Sequence, residues 1–90
     1  MPQAIVDPEA LRNFATQLQR FNEELRDLLT SIHGQFGELG ATWRDQEQAR
    51  FAEVFEETEA MIGQFLEVST AHVGFLVRKA EAAKDYLDRR

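Results

Sequence analysis

Apolar residues in the first half of the chain fall at Leu11, Phe14, Leu18, Phe21, Leu25, Leu28 and Ile32, in alternating steps of three and four. That spacing is a heptad stripe along one face of a long helix. Phe36 and Leu39 carry it on with a small phase shift, and Arg12, Gln19, Arg20, Glu23 and Asp27 fill the other face. Asp7-Pro8-Glu9 is a helix start: Asp7 caps, Pro8 suits the first helical position and Glu9 faces the positive end of the dipole. Val6 and Leu11 occupy the two positions of a hydrophobic staple. The pattern predicts a helix over about residues 8–39. Gly34, Gly37 and Gly40 weaken its end, since an interior Gly costs roughly 1 kcal/mol against Ala. Gly40 is the expected stop, in the left-handed conformation that Gly takes cheaply.

Residues 40–45 read as a turn, with Thr42 and Asp45, or Asp45 and Gln48, as the capping pair of a second helix. That helix is predicted over about 45–87. Its stripe is Phe51, Phe55, Thr58, Ile62, Phe65, Ser69, Val73, Leu76, Ala80, Ala83 and Leu87, widened by Val54, Met61, Leu66 and Val68. No Pro interrupts it, and only Gly63 and Gly74 do. So short a turn makes the helices antiparallel neighbours. The fold class is all-α: one helical-hairpin domain over residues 1–90, dimerising into a four-helix bundle. With the turn centred near residue 42, facing residues sum to roughly 84–86 in a hairpin of this kind. Phe21 then meets Phe65, Leu25 meets Ala60, and Phe14 lies near Ser69 and His72. The first helix is exhausted by about residue 77, so residues 78–90 overhang.

Dimerisation is expected because two helices bury one stripe each, and a core that small rarely holds a chain alone. Val73, Phe75, Leu76 and Val77 point around more than half of the second helix. The expected interface residues are Phe14, Leu18, Phe21, Leu25, Leu28, Ile32, Phe51, Phe55, Ile62, Phe65, Val73 and Leu76.

Composition narrows the partners. Ten Lys+Arg against sixteen Asp+Glu give a net charge of −6 over 90 residues. A phosphate backbone repels such a surface, so nucleic acid is excluded, and anionic lipid is disfavoured. Residues 45–67 hold seven acids and one base, whereas residues 78–90 hold five bases and three acids. That order suits a single helix dipole. Zero Cys removes disulfides, thiolate metal sites and Cys nucleophiles together. The start of the chain, Met-Pro-Gln-Ala-Ile-Val-Asp, has no basic or apolar signal region. The longest strongly apolar run, residues 73–77, is far below the ~20 needed to span a bilayer. Stable membrane insertion is not expected.

No catalytic constellation emerges. A di-iron bundle needs Glu-x-x-His on facing helices, but Thr30 and Ser69 stand three positions before His33 and His72. Glu56, Glu57 and Glu59 read as a solvated face, and His72 as a partly buried seam residue, with pH sensing at a dimer interface as the sharper alternative. No Ser-His-Asp spacing, phosphate loop or metal motif is present. The expectation is a non-enzyme with no cofactor and no metal.

Trp43 stands out, because turns favour small polar residues. Its ring either plugs the open end of the bundle against Leu39 and the second helix, or helps form a cleft that another protein recognises. With Ala41-Thr42-Trp43 in the turn, Phe51 eight positions on and Phe55 four further, the chain resembles the WXG100 (ESAT-6-like) family of type VII secretion proteins. Val6-Asp7-Pro8-Glu9-Ala10-Leu11 is similar to the helix openings of that family. Two departures accompany the resemblance. The family's Trp-x-Gly reads Trp43-Arg44-Asp45, and its C-terminal Tyr-x-x-x-Asp/Glu signal reads Tyr86 to Arg90, with Asp88 between. The resemblance implies a small non-catalytic hairpin that pairs as a homodimer or heterodimer with a related hairpin. It implies export without a signal peptide, from the cytoplasm, with a secretion ATPase or a larger effector as further partner. A cytoplasmic helical adaptor or chaperone for a secreted toxin is the alternative. A third reading, a bundle that opens on lipid, sits poorly with the acidic surface, which acidification neutralises in part.

Overall fold

A computed structural model of the chain describes residues 6–89, as two antiparallel helices. Helix α1 runs Pro8–Leu39 and helix α2 runs Gln46–Asp88. The Asp7 side chain accepts from the Glu9 and Ala10 amides at 2.9 and 3.3 Å, with Pro8 behind it at the first helical position. Asp45 accepts from the Gln48 amide at 2.9 Å and opens α2 in the same way. These side chains satisfy amides that helix starts leave without backbone partners. The long axis of the molecule is 67 Å, about the length of a 43-residue helix at ~1.5 Å per residue.

The hairpin seam is a heptad on both helices. On α1 it holds Leu11, Ala15, Leu18, Asn22, Leu25, Leu29 and Phe36, all buried or half-buried. On α2 it holds Gln48, Ala52, Phe55, Glu59, Ile62, Leu66, Ser69, Val73, Leu76, Ala80 and Ala83. Among the described residues, only Ala15, Leu66 and Ala80 of the apolar residues, with Asn22 and Ser69 of the polar ones, are buried. Small residues on the seam let the helices approach closely, so Ser69 Oγ–H donates to Asn22 Oδ1 at 2.9 Å between them. About three turns nearer the loop, His33 Nδ1–H donates to the Glu59 carboxylate at 2.7 Å.

The structure corrects four expectations. First, partners across the seam sum to 91, as in Asn22 with Ser69 and Phe36 with Phe55, and not to 84–86. Asn22 therefore meets Ser69 where Phe14 was expected, although Phe21 and Phe65 do meet, edge to face at 6.3 Å on the flank. The cause lies in the turn. Backbone bonds carry the winding of α1 on to Trp43, whose amide donates to Leu39 O at 3.0 Å, so the chain reverses late. Second, the overhang over 78–90 is much reduced by the same shift. Ala80 is 0% exposed, Ala83 is half-buried and Arg12 lies 4.0 Å from Glu81, so residues 80–83 pack against the start of α1. Third, Gly40 is right-handed (φ −61, ψ −15) and closes α1 through tight turns. Its lack of a side chain serves proximity, since a Cβ there would lie 3.2 Å from Gly37 O. Fourth, the bases of residues 78–90 are not gathered in the last turn of α2, which carries none, and Arg89 at the C-cap is the one placed against that end of the helix dipole.

Candidate protein interface

The twelve expected interface residues split evenly. Leu18, Leu25, Phe55, Ile62, Val73 and Leu76 lie in the hairpin seam. Phe14, Phe21, Leu28, Ile32, Phe51 and Phe65 lie outside it, with Phe14, Phe21 and Leu28 at 56%, 51% and 66% exposure. The apolar stripe read from α1 is therefore not the seam of the hairpin. It shares Leu11, Leu18 and Leu25 with that seam and turns its aromatic residues to one side.

A second stripe on α2 stands beside it. Phe51, Val54, Thr58, Met61, Phe65, Val68, His72 and Phe75 repeat in steps of three and four, and all are exposed. The Phe21–Phe65 contact joins this stripe to the exposed side of α1. The two form one broad apolar face along the hairpin. Glu residues are absent from it, and the α1 and α2 residues on the opposite flank (Arg12, Gln19, Arg26, Glu56, Thr70 and Lys84) are polar and exposed. The second stripe was available in the sequence as an independent repeat. Phe51, Thr58 and Phe65 belong to the stripe expected for α2, and Val54, Met61 and Val68 to the residues expected to widen it, so the repeat is divided between the two.

Shallow grooves run along this face. One of about 350 Å³ is lined by Ile32, Gln35, Phe36, Leu39, Phe51 and Phe55. A neighbour of about 280 Å³ shares Ile32 and Gln35 with it and continues to Leu25, Leu28 and Ile62. A larger cleft, about 430 Å³, lies elsewhere, among Asp7, Pro8, Glu9, Arg12 and Lys84. Its charged lining makes it a junction between helix ends. By length and composition α2 is apolar enough to cross a membrane, with an 18-residue window of mean hydropathy 1.3, of which 11% is buried.

At the loop end the aromatics close ranks. Phe36 lies 5.4 and 4.9 Å from Phe51 and Phe55, which stack on one another at 5.8 Å. The Trp43 ring is half-buried and sits 6.2 Å from Phe51, at the open edge of this cluster. Arg44 Nε–H donates to Gly40 O at 2.9 Å and ties the turn to the end of α1. Asp45 has φ −86 and ψ −174, extended backbone that any residue adopts. The position where the family carries Gly thus makes no demand for Gly here, and the carboxylate gains a capping role. Tyr86 and Asp88 are exposed near the end of α2, and Arg90 lies outside the described residues.

Among the described residues, no group of three or more His, Asp or Glu side chains is gathered to hold a metal ion. His33 is engaged with Glu59, and His72 Nδ1–H donates to Val68 O at 3.0 Å within its own helix.

Comparison with solved structures gives the same hairpin. The secreted protein EsxB from Bacillus anthracis str. Sterne superposes with a TM-score of 0.77 at 20% identity, over 96% of this chain and 98% of that one. A wild-type EsxB structure in a second crystal form gives 0.76 at 20% identity, over 93% and 97%. No curated protein matches the chain significantly. The model of the WXG100 family, described as proteins of 100 residues with WXG, matches residues 3–86. With the hairpin, the tryptophan in its turn and this match over nearly the whole chain, the protein belongs to the WXG100 family.

Proposed function

We propose that the protein is a non-catalytic helical hairpin that pairs through its apolar face with a second hairpin of the family, a copy of itself or a sister chain. The pair is exported in folded form by a type VII secretion system, without a signal peptide. The observation that carries the reading is the imbalance between core and surface. Among the described residues, three apolar residues are buried while thirteen large hydrophobic side chains stay exposed, ten of them on this face. Covering such a face is worth roughly 25 cal/mol for each Å² removed from water, and monomers rarely expose so continuous a patch. A second two-helix layer of the same length is the partner whose shape fits a long flat stripe, and it completes a four-helix bundle. Family membership supports the export route, as does the description of EsxB as a secreted protein.

Sedimentation of the purified chain, alone and with a co-expressed sister hairpin, tests the pairing. A monomer at tens of micromolar under both conditions would overturn it. Fractionation of cells with and without the system's membrane ATPase tests export. Retention in the cytoplasm while a known substrate of the same system leaves the cell would favour the adaptor reading. The basic Arg90 at the fourth position after Tyr86, where the family's signal carries an acid, is the observation that keeps that second reading.

A further inference from the structure

Helix α1 carries two overlapping apolar stripes, and the hairpin buries the less apolar one. Both share Leu11, Leu18 and Leu25. The buried stripe adds Ala15, Asn22, Leu29 and Phe36, while the exposed one adds Phe14, Phe21, Leu28 and Ile32. Apolar burial is non-directional and scales with area, so on area alone the two phenylalanines belong inside. Turning α1 inward by that choice needs a rotation of roughly 50°, half the 100° step between neighbouring helical residues.

We propose that the polar pair Asn22–Ser69 is a rotational lock: it sets the angle of α1 about its own axis and so holds Phe14, Phe21 and Leu28 outward for the partner hairpin. The inference rests on the reading that this face takes a second hairpin. Hydrogen bonds, unlike apolar contacts, are directional, and a single polar residue in a heptad seam selects one arrangement among many. Asn22 is 3% exposed and Ser69 5%. Rotation of α1 separates them and leaves the Ser69 hydroxyl facing Phe21. It also withdraws His33 from Glu59, whose side chain is only 17% exposed. The lock has a cost that marks it as a specificity device: Asn22 Nδ2 is buried with no protein partner. Ala15 acts in the same sense, since the register of the seam sets it opposite Leu76, where Phe14 would not fit without moving the helices apart.

The absence of cysteine makes the rotation directly readable. In the full chain, Ala15→Cys with Leu76→Cys reports the observed angle, and Phe14→Cys with Leu76→Cys reports the rotated one. With Asn22 and Ser69 present, the first pair closes an intramolecular disulfide and the second stays reduced. In an Asn22→Leu, Ser69→Ala background, the second pair should gain at least about tenfold in oxidation rate relative to the first, with helicity retained. The dissociation constant of the assembly should rise by about tenfold, the factor that a 1.4 kcal/mol change produces. An unchanged disulfide ratio overturns the lock. A changed ratio with unchanged assembly overturns its role in positioning the face. If the unmodified protein shows no association at all, the pairing reading fails, while the disulfide ratio still decides whether Asn22 sets the angle. Ser69→Ala alone, which keeps Asn22, provides a milder variant with an intermediate ratio should the double change unfold the chain.

Discussion

Phe21→Ala is the most informative single change, because Phe21 belongs to the apolar face and touches the seam only at its edge. A phenylalanine side chain presents on the order of 200 Å². At 51% exposure, about 100 Å² of this one meets solvent in the hairpin. Covering that area at ~25 cal/mol per Å² is worth ~2.5 kcal/mol. Alanine retains part of it, so the loss is about 2 kcal/mol for each Phe21 that a partner covers. A heterodimer contains one such residue, and its dissociation constant should rise roughly 30-fold. A symmetric homodimer contains two, and the rise is roughly a thousandfold. The hairpin itself loses the edge-to-face contact with Phe65, worth about 0.5–1.5 kcal/mol. Sedimentation equilibrium over a concentration series, with far-ultraviolet circular dichroism on the same samples, separates the two effects. The reasoning is refuted if helicity is unchanged and the dissociation constant stays within about threefold of the unmodified protein.

The remaining predictions probe the seam, the turn and the helix ends. Leu25→Asp places a charge in the half-buried seam opposite α2, and should abolish helicity and assembly together; an intact dimer by ultracentrifugation would contradict this. Trp43→Ala removes a ring from the edge of the Phe36–Phe51–Phe55 cluster, and should reduce partner binding or export more than helicity. Complete unfolding by circular dichroism would instead assign the ring to closing the hairpin end. Asp45→Ala deletes the cap on α2 and should lower stability by about 1 kcal/mol, whereas Asp45→Gly should cost only a few tenths; denaturant titration distinguishes them, and equal losses would deny the carboxylate its role. Gly34→Ala adds a methyl group with nothing within 4 Å, and should raise the unfolding free energy by about 0.5–1 kcal/mol, read as a higher midpoint in the same titration.

Local chemistry determined the elements. Asp7-Pro8 and Asp45 cap helices through contacts within three residues, so their meaning was complete in the sequence. The same holds for the helical periodicity and the tryptophan that pointed to the family. The choice of inward face was decided only by tertiary structure. The residues of α1 support two stripes half a residue step apart, and a periodicity cannot tell which one a neighbour will cover. That decision depended on pairing Asn22 with Ser69 and Ala15 with a larger residue, across a register that itself shifted because the winding of α1 runs on to Trp43. The shift from the expected sums of 84–86 to 91 carried Ala80 into the seam and left little overhang. What the sequence alone determined was therefore that two long helices form and fold back. Which side of each helix turns inward is settled only by contacts such as that between Asn22 and Ser69, 47 positions apart, because contacts that distant acquire a direction only once both helices are in place.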